Sequence, residues 1–316
     1  MSGTMKAVRL HEYGGPEVLI YEDAPVPAPA DGEVLIKVQG AGVNPVDWKT
    51  RTGKRGAAPG LKDPFPLILG WDVSGTVRSA GRGVSKFRDG DGVFGMVGFP
   101  DPGSCYADYV CASADDLALK PVSLTPLETA GIPIAGLTAY QALFDTAGLQ
   151  EGQRVLINAA AGGVGHFAVQ LAAWKGAYVI GTASKRNREF LEGLGVNEFV
   201  DYTEGPLEER VRDVDVVLDP VGGTTRESSL KALKKGGFLV SIVERDVHEK
   251  TEGLEVSARH MLVKRNSAQL EIIAGLIDKG IVKPHIHRVF PLSEAAEAHR
   301  LVFAGHVRGK VVLQPE

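Results

Sequence analysis

The chain has few cysteines, no long apolar stretch and no strong excess of charge of either sign. Only two of its 316 residues are cysteines, Cys105 and Cys111, which excludes a disulfide framework and predicts free thiols. No apolar run approaches the roughly 18 residues that span a bilayer, and the first ten residues alternate as in a strand. A formal net charge of -4 gives no reason to expect a nucleic-acid partner. We therefore expect a cytoplasmic protein that neither enters a membrane nor binds nucleic acid.

The pattern of short segments predicts two domains. The first 120 residues alternate in polarity between Gly, Pro and Asp residues, which is typical of a partly closed antiparallel β-barrel. From Pro126, helical stretches alternate with β-branched runs that are apolar on both faces, as in a doubly wound parallel sheet. The pattern changes at Lys264, and the last strand, GKVVL, is expected to return to the first domain. The predicted α/β protein thus has a barrel domain (1–124 and 264–316) and a nucleotide-binding domain (125–263).

The segment VLINAAAGGVGHFAVQLA (155–172) is the most informative part of the chain. A buried strand ends, a loop of small residues turns, and a helix begins, so free N–H groups and the positive helix end would meet a diphosphate. Glycine would let the backbone approach the phosphates and let the helix pack closely on the sheet. An ordinary strand-to-helix turn is the alternative, but it leaves the small residues unexplained. The loop residues predicted to bind the cofactor are Ala161, Gly162, Gly163, Val164 and Gly165.

The end of the next strand, Val179–Thr182, distinguishes NAD from NADP. A carboxylate there would bind the ribose 2′-hydroxyl and repel a 2′-phosphate, yet no acidic residue comes before Glu189. Instead, Ser184 can donate a hydrogen bond, and Lys185 and Arg188 can supply positive charge to the phosphate. A solvated basic helix start is the alternative, but cations there oppose the helix dipole unless an anion is bound. The sequence therefore predicts NADPH as the cofactor.

Seven segments in a fixed order extend over nearly the whole chain: AGVNPVDWKTRTG (41–53), PLILGWDVSGTV (66–77), VSKFRDGDGVFG (84–95), AGLTAYQAL (135–143), AAAGGVG (159–165), LDPVGG (218–223) and GKVVL (309–313). Through them the sequence resembles the medium-chain dehydrogenase/reductase superfamily, in particular its quinone oxidoreductase (zeta-crystallin-like) branch. The resemblance implies a GroES-like catalytic domain, a Rossmann domain that binds the cofactor, and a cleft between them. It also implies a homodimer or a homotetramer.

The sequence departs from the zinc-dependent alcohol dehydrogenases of that superfamily. They place a cysteine where this chain has Asn44, and a Gly-His-Glu where it has Gly70, Trp71 and Asp72. Their remaining zinc cysteine would fall within 126–148, which contains neither Cys nor His. Because a catalytic zinc site needs about three protein ligands, we expect no metal in this protein.

Without zinc, an alkoxide lacks the cation that stabilises it, so hydride addition to an activated acceptor is the reaction expected. Addition to a quinone or to the β-carbon of an enone gives a delocalised anion, which hydrogen-bond donors can stabilise. The resemblance implies that Asn44 faces the nicotinamide and the substrate, and that Lys49 stabilises the oxyanion or relays a proton. Trp71 is expected to form an aromatic wall that favours flat acceptors. The alternatives are a surface loop position for Lys49 and core packing for Trp71.

Further cofactor contacts follow from the same resemblance. Asp47 is expected to orient the ribose or Lys49, and Thr138 to contact the nicotinamide end. Tyr202 is expected to cover the adenine or to touch the 2′-phosphate. Backbone groups under the nicotinamide and residues of the C-terminal segment complete the predicted set: Ser241, Ile242, Val243, Arg308, Gly309 and Lys310.

The predicted function is that of an NADPH-dependent, zinc-independent reductase that transfers hydride to a quinone or to an α,β-unsaturated carbonyl compound. Two alternatives stay open at this point. One is a reductase of another activated double bond, such as an enoyl thioester. The other is an NADPH-binding structural or regulatory protein whose catalysis is incidental.

Overall fold

A computed structural model describes residues 3–54 and 65–316 of the chain. The chain divides into two compact units. The first unit consists of Met1–Leu137, Lys264–Gly280 and Pro284–Glu316. The second unit consists of Thr138–Val263 and Ile281–Lys283.

The first unit is built around β-strands. Within the described residues its strands are β1 (Thr4–Leu10), β2 (Ile20–Pro25), β3 (Glu33–Val43), β4 (Leu67–Ile68), β5 (Asp72–Ala80), β6 (Gly92–Met96), β7 (Tyr109–Ser113), β8 (Leu117–Leu119), β15 (Ile286–Pro291) and β16 (Lys310–Gln314). The larger sheet has the order β15-β16-β3-β5-β6-β8, and β7 also pairs with β3. The smaller sheet has the order β2-β1-β4.

The long strand β3 organises the larger sheet. It has 11 residues and pairs antiparallel with β5, β7 and β16, whereas β16 and β15 pair in parallel. Most of its residues are buried, as the apolar content of the segment requires. Because β16 pairs with β3, with Val311 opposite Val43, the expected return of GKVVL to the first domain is observed. The β-rich first domain of the predicted fold class, with its returning C-terminal strand, is confirmed.

The α-helices that lie wholly in the first unit have between 5 and 12 residues. They are α1 (Pro45–Arg51), α2 (Pro126–Ala130), α8 (Ser267–Asp278) and α9 (Ala295–Ala304), while α3 (Pro133–Tyr140) begins in the first unit and ends in the second. The sequence placed the domain boundary after residue 124, but α2 packs directly on β3. A Cβ added to Gly40 would lie 2.9 Å from the Cβ of Ala130. This packing explains why residues 125–137 lie with the first unit.

The second unit contains a parallel sheet. Its strands are β9 (Arg154–Ile157), β10 (Tyr178–Ala183), β11 (Glu198–Asp201), β12 (Val214–Asp219), β13 (Leu233–Ser241) and β14 (Ser257–His260). They lie in the order β11-β10-β9-β12-β13-β14, and every pair is parallel. Counted from β9, this is the order 3-2-1-4-5-6 of the Rossmann fold. The predicted Rossmann domain is therefore confirmed, and its ligand-binding edge is the carboxyl end of the strands.

Helices α4 (Gly165–Trp174), α5 (Arg188–Gly193), α6 (Leu207–Arg210) and α7 (Gly223–Ala232) connect these strands, and a π-helix (Gln141–Thr146) continues α3. Sequence patterns did not predict α7 or β14. The segment of α7, GTTRESSLKA, is mostly polar, and that of β14, SARH, has no apolar run. Both depend on neighbours: Leu230 of α7 is buried, and Ala258 of β14 pairs with Leu239. In the described part of the chain, no helix is long and apolar enough to cross a bilayer.

Gly75 tests how closely β3 and β5 pack. A Cβ at this position would lie 2.1 Å from the Lys37 carbonyl oxygen and 2.8 Å from Cγ2 of Ile36. We expect Gly75→Ala to lower the free energy of unfolding by about 1–3 kcal/mol, because the strands must move apart. Gly275→Ala in α8, where an added Cβ meets nothing within 4 Å, is the control and should raise it by up to about 1 kcal/mol. Denaturant titrations measure both changes, and equal effects would contradict the packing argument.

Candidate active site

The phosphate loop joins β9 to α4 and is anchored to the end of β10. The Ala160 N–H donates to the Thr182 carbonyl at 2.9 Å, and the Ala159 N–H lies 3.3 Å from the Thr182 hydroxyl. That hydroxyl donates in turn to Oδ1 of Asn158 at 3.3 Å. These bonds hold the loop at the carboxyl edge of the sheet, where proteins of this architecture bind nucleotides.

The close packing of this loop on α4 depends on Gly165. A Cβ there would lie 2.4 Å from the Ala159 carbonyl oxygen and 2.7 Å from the Cα of Ala160. Ala159 itself has a φ of 46°, a conformation that costs energy in a residue other than glycine. Among the described residues, the N–H groups of Gly163 and Val164 donate to no backbone carbonyl. The loop therefore fits a diphosphate, which these N–H groups and the start of α4 would bind.

His166 fixes the middle of the loop. Its Nδ1 lies 2.9 Å from the Gly162 carbonyl oxygen, which also accepts from the His166 N–H at 3.1 Å. The imidazole and Ala161 are buried, whereas Gly162 and Gly163 are half-buried. His166 thus supports the loop from inside and leaves its glycines accessible.

Residues predicted to bind the 2′-phosphate follow two neighbouring strands. Strands β10 and β11 pair with Ala183 opposite Asp201, so Ser184 and Tyr202 leave the sheet side by side. Ser184 is half-buried, and its hydroxyl accepts a hydrogen bond from Nδ2 of Asn187 at 3.2 Å. Tyr202 is 54% exposed, so its ring is open to a ligand.

Two cations lie beside this pair. Lys185 is exposed and forms no ion pair with any described residue. The Arg188 guanidinium stacks on Phe199 at 4.3 Å, and its Nη1 lies 3.5 Å from the Glu192 carboxylate. The stacking holds Arg188 against β11, next to the strand end that carries Tyr202.

A carboxylate at the same edge, Asp201, is already bonded. Its Oδ1 accepts from the Thr203 N–H at 2.9 Å and from the Thr203 hydroxyl at 2.8 Å. These two bonds, opposed by burial and aided by the Lys185 N–H, hold the pKa of Asp201 below its usual range. With Oδ1 bonded twice to Thr203 and its side chain buried, Asp201 is not placed to bind a ribose hydroxyl.

The predicted nicotinamide end begins where β13 ends. The buried hydroxyl of Ser241 accepts from the N–H groups of Val243 at 3.3 Å and Glu244 at 3.1 Å. The Ile242 N–H donates to the Asp219 carbonyl at 3.1 Å. These N–H groups are used within the protein, and the Ser241 carbonyl accepts from the Met261 N–H at 2.9 Å. The carbonyl oxygens of Ile242 and Val243 are therefore the backbone atoms that this stretch can offer to a carboxamide.

In the first unit, three buried polar side chains meet where β3 ends and where β5 and β16 begin. Nδ2 of Asn44 donates to Oδ2 of Asp72 at 2.8 Å. The Lys310 ammonium donates to Oδ1 of Asn44 and to the Val43 carbonyl at 3.2 Å, and lies 3.4 Å from Oδ2 of Asp72. Oδ1 of Asp72 accepts from the Ile134 N–H at 2.8 Å. Burial raises the pKa of Asp72, and the Lys310 charge and these donors oppose that shift.

This cluster corrects two predictions. Lys310 was expected to reach the cofactor, but its ammonium lies inside the unit, because Asp72 and Asn44 accept from it there. Asp47 was expected to orient the ribose or Lys49, but it is fully buried and its Oδ2 accepts from the Asn44 N–H at 2.6 Å. Burial raises the pKa of Asp47 to about 7, despite that bond. Asp47 therefore caps the start of α1.

Trp71 also differs from its prediction. Its side chain is 1% exposed, its Nε1 donates to the Asp101 carbonyl at 2.7 Å, and its ring packs edge-on against Phe99. An indole with both faces covered offers no wall to an acceptor. Core packing, the alternative interpretation, is the one that the structure supports.

The other predicted residues lie at several places in the fold. Lys49 lies on α1 and not on a loop; it is half-buried, and burial, followed by the charge of Lys54, lowers its pKa. Thr138 is buried on α3. Gly309 has a φ of 67°, and a Cβ there would lie 2.1 Å from the His285 carbonyl oxygen. The contacts expected of Lys49, Thr138, Arg308 and Gly309 with ligands stay predictions.

Comparisons with known proteins identify the family. An alcohol dehydrogenase GroES-like domain matches residues 30–122, and a zinc-binding dehydrogenase family matches residues 194–313. A mitochondrial NAD(P)H oxidoreductase of Mus musculus is 36% identical, over 99% of this chain and 89% of that protein. The solved quinone oxidoreductase of Coxiella burnetii is 42% identical with a TM-score of 0.94, over 99% of both chains. This chain belongs to the quinone oxidoreductase branch of the medium-chain dehydrogenase/reductase superfamily.

The predicted family is thereby confirmed, and the chain is an oxidoreductase of that family. The quinone oxidoreductase of Escherichia coli, solved in complex with NADPH, is 26% identical with a TM-score of 0.88. That match extends over 98% of this chain and all of the other.

One matched family is described as zinc-binding, and the residues of this chain do not fit that metal. At the positions of the zinc ligands stand an amide (Asn44), a buried indole (Trp71) and a carboxylate already bonded to an ammonium (Asp72). Within residues 3–54 and 65–316, no group of three or more His, Cys, Asp or Glu side chains could hold a metal ion. Zn²⁺ prefers thiolate, imidazole and carboxylate ligands, so an amide and an ammonium do not suit it.

Asp72 is the member of the cluster that sequence reasoning left without a role. The register places Gly42 opposite Asp72 and Val43 opposite Val311, and this brings Asn44, Asp72 and Lys310 to neighbouring strand ends. Strand register is not visible in the sequence. A signal was present nevertheless, since an acid inside the apolar run LILGWDV needs a buried partner.

His299 is a further buried titratable group of the first unit. Its Nε2 lies 3.3 Å from the Tyr106 hydroxyl, and burial, aided by the charge of Arg51, lowers its pKa to about 3. Between pH 6.5 and 3 the unfolded chain binds a proton that the folded chain does not, so stability falls as the pH falls.

We expect His299→Gln to remove this loss. The free energy of unfolding of the variant should fall less than that of the wild type between about pH 6.5 and pH 4, by up to about 1.4 kcal/mol per pH unit. Denaturant titrations at several pH values measure the difference. His287→Gln, which removes a histidine at an exposed position of the same unit, is the control. Parallel curves for wild type and His299→Gln would contradict the assignment.

Proposed function

We propose that this protein is an NADPH-dependent, zinc-independent reductase that transfers hydride to a quinone or to an α,β-unsaturated carbonyl compound. The observation that carries the proposal is the pair of cations, Lys185 and Arg188, beside Ser184 and Tyr202 at the carboxyl edge of the sheet. The acid at that edge, Asp201, is committed to Thr203. Positive charge with no carboxylate placed to bind the ribose favours a 2′-phosphate over a 2′-hydroxyl.

The second unit offers a set of groups suited to the whole cofactor. The N–H groups of Gly163 and Val164 would bind the diphosphate, Lys185 and Arg188 the 2′-phosphate, and the exposed ring of Tyr202 the adenine. When bound, NADPH supplies the hydride. The protein residues supply orientation and exclude water, which account for much of the rate of such reactions.

The acceptor class follows from the groups that could stabilise the product anion. Reduction of a quinone or an enone leaves a delocalised oxyanion, for which hydrogen-bond donors and a cation suffice. Lys49 on α1 is half-buried, and a partly desolvated ammonium stabilises an adjacent anion more than an exposed one does. Asn44, the residue before α1, carries an amide donor. Simple ketones would form a more basic alkoxide that these groups stabilise less.

The cofactor choice depends on Lys185 and Arg188. We expect Lys185→Ala combined with Arg188→Ala to raise the Kd for NADPH by about 10- to 100-fold, since charge-assisted bonds to the phosphate are lost, with the Kd for NADH unchanged. Fluorescence titration measures both constants. The matched control, Arg212→Ala with Lys235→Ala, removes two charges near the starts of β12 and β13 and should change neither. An unaltered NADPH affinity, or tighter binding of NADH by the wild type, would refute this site.

The reaction itself is tested by NADPH oxidation with a panel of acceptors before and after exhaustive chelation. We expect turnover of quinones or enones, at least about 100-fold slower turnover of simple ketones, and no loss of rate on chelation. Turnover of enoyl thioesters alone would support that alternative substrate. Tight NADPH binding without turnover would support a structural or regulatory role. A rate that is lost on chelation and restored by Zn²⁺ would end the zinc-independent proposal.

The location and assembly of the protein stay predictions. Two free thiols, one of them in the core at Cys105, accord with a reducing compartment such as the cytoplasm. A homodimer or homotetramer is the assembly expected of this chain.

A further inference from the structure

The polar cluster of the first unit has a strict arrangement of donors and acceptors. Asn44, Asp72 and Lys310 are each at most 4% exposed, so they bond mainly to one another and to the surrounding backbone. An ammonium has three N–H groups and accepts nothing. Lys310 has three acceptors within the unit: the Val43 carbonyl, Oδ1 of Asn44 and Oδ2 of Asp72. No donor of Lys310 is left for a ligand.

Asp72 receives hydrogen bonds and gives none. Its partners are the Ile134 N–H, Nδ2 of Asn44 and the Lys310 ammonium, and all three are donors. Three donors, one of them a cation, face the carboxyl group and favour its charged form over its protonated form. The geometry therefore holds Asp72 as a carboxylate beside the cation.

The Asn44 amide lies between these two charges, which fix its orientation. Lys310 can only donate, so the amide oxygen must face it, and the carboxylate of Asp72 can only accept, so the amide nitrogen must face that side. A 180° flip would place oxygen against carboxylate and N–H against ammonium. Nδ2 carries a second N–H, for which no described residue supplies an acceptor.

We infer that Lys310 and Asp72 are positioning residues that hold the Asn44 amide in one orientation, so that its second N–H serves as a donor to the oxyanion of the reduced acceptor. The inference rests on the proposed function, because it names the reaction that uses the donor. It also assigns Lys310 a role inside the protein and not at the cofactor.

The test compares two variants. Lys310→Met removes the cation but leaves the Asp72 charge buried without its partner, so it is expected to be less stable. Asp72→Asn combined with Lys310→Met leaves no charge among the three side chains of the cluster. In the double variant, the side-chain oxygen that remains at position 72 must stay with the Ile134 N–H. The NH₂ group that replaces the other oxygen then faces Asn44. The Asn44 amide is expected to flip by 180°, which exchanges the positions of its NH₂ group and its oxygen.

We expect both variants to lose about 10- to 100-fold in kcat, the scale of losing one oxyanion donor. The double variant should unfold at nearly the denaturant concentration of the wild type. The Kd for NADPH should stay within about twofold of the wild-type value in both, since no donor of Lys310 reaches the cofactor. Lys86→Met is the control: this lysine pairs with Glu271 near the surface of the same unit, and its loss should leave kcat unchanged.

Two results would overturn the inference. Recovery of wild-type kcat in the double variant would show that Lys310 only compensates charge. A weakening of NADPH binding by 10-fold or more would make Lys310 a cofactor ligand. Failure of the proposed function is distinct, because it would appear as absence of turnover by the wild type. The NADPH affinities would then still decide the role of Lys310.

Discussion

The buried ion pair between Lys310 and Asp72 is the constraint around which the first unit is arranged. Transfer of two charges from water into a protein interior costs several kcal/mol for each ion, and mutual attraction alone seldom restores it. Here the other hydrogen-bond donors and acceptors of the pair are bonded to the Val43 carbonyl, the Asn44 amide and the Ile134 N–H. These partners come from β3, β5, α3 and β16, so the pair fixes the relative position of four segments. Because apolar residues would be at least as stabilising, orientation explains the pair better than stability does.

In the second unit, the cations of the candidate site lie at the surface and not in a buried ion pair. Lys185 and Arg188 stand at the surface near the start of α5, where the helix dipole disfavours cations. Asp201, by contrast, is buried, and its carboxylate accepts hydrogen bonds that stabilise the turn containing Thr203. The negative group is kept inside and the positive groups are left outside. An edge built in this way attracts an anion through the charges of Lys185 and Arg188.

Sequence reasoning succeeded where the signal is local. The phosphate loop is one continuous segment with a strand before it and a helix after it, and the order of the parallel strands follows from their alternation with helices. It failed where neighbours are remote in the chain. Lys310 and Asn44 are 266 positions apart, and only the pairing of β16 with β3 brings them together. A lysine in GKVVL has the same local sequence whether it points to a phosphate or to a carboxylate. The prediction for Trp71 was wrong for a related reason, because Phe99 and Asp101, about 30 positions later in the chain, contact its side chain.

The net charge of the Asn44, Asp72 and Lys310 cluster also disfavours a metal ion at this place. Lys310 and Asp72 cancel, and Asn44 is neutral, so the three side chains carry no net charge. Asp47, whose pKa burial raises to about 7, adds at most one negative charge nearby. A divalent cation placed among these groups would bring two positive charges, of which the Asp47 carboxylate offsets at most one, at a cost that grows steeply in an apolar interior. An amide in place of a thiolate ligand and an ammonium in place of a metal ion therefore form one consistent electrostatic arrangement.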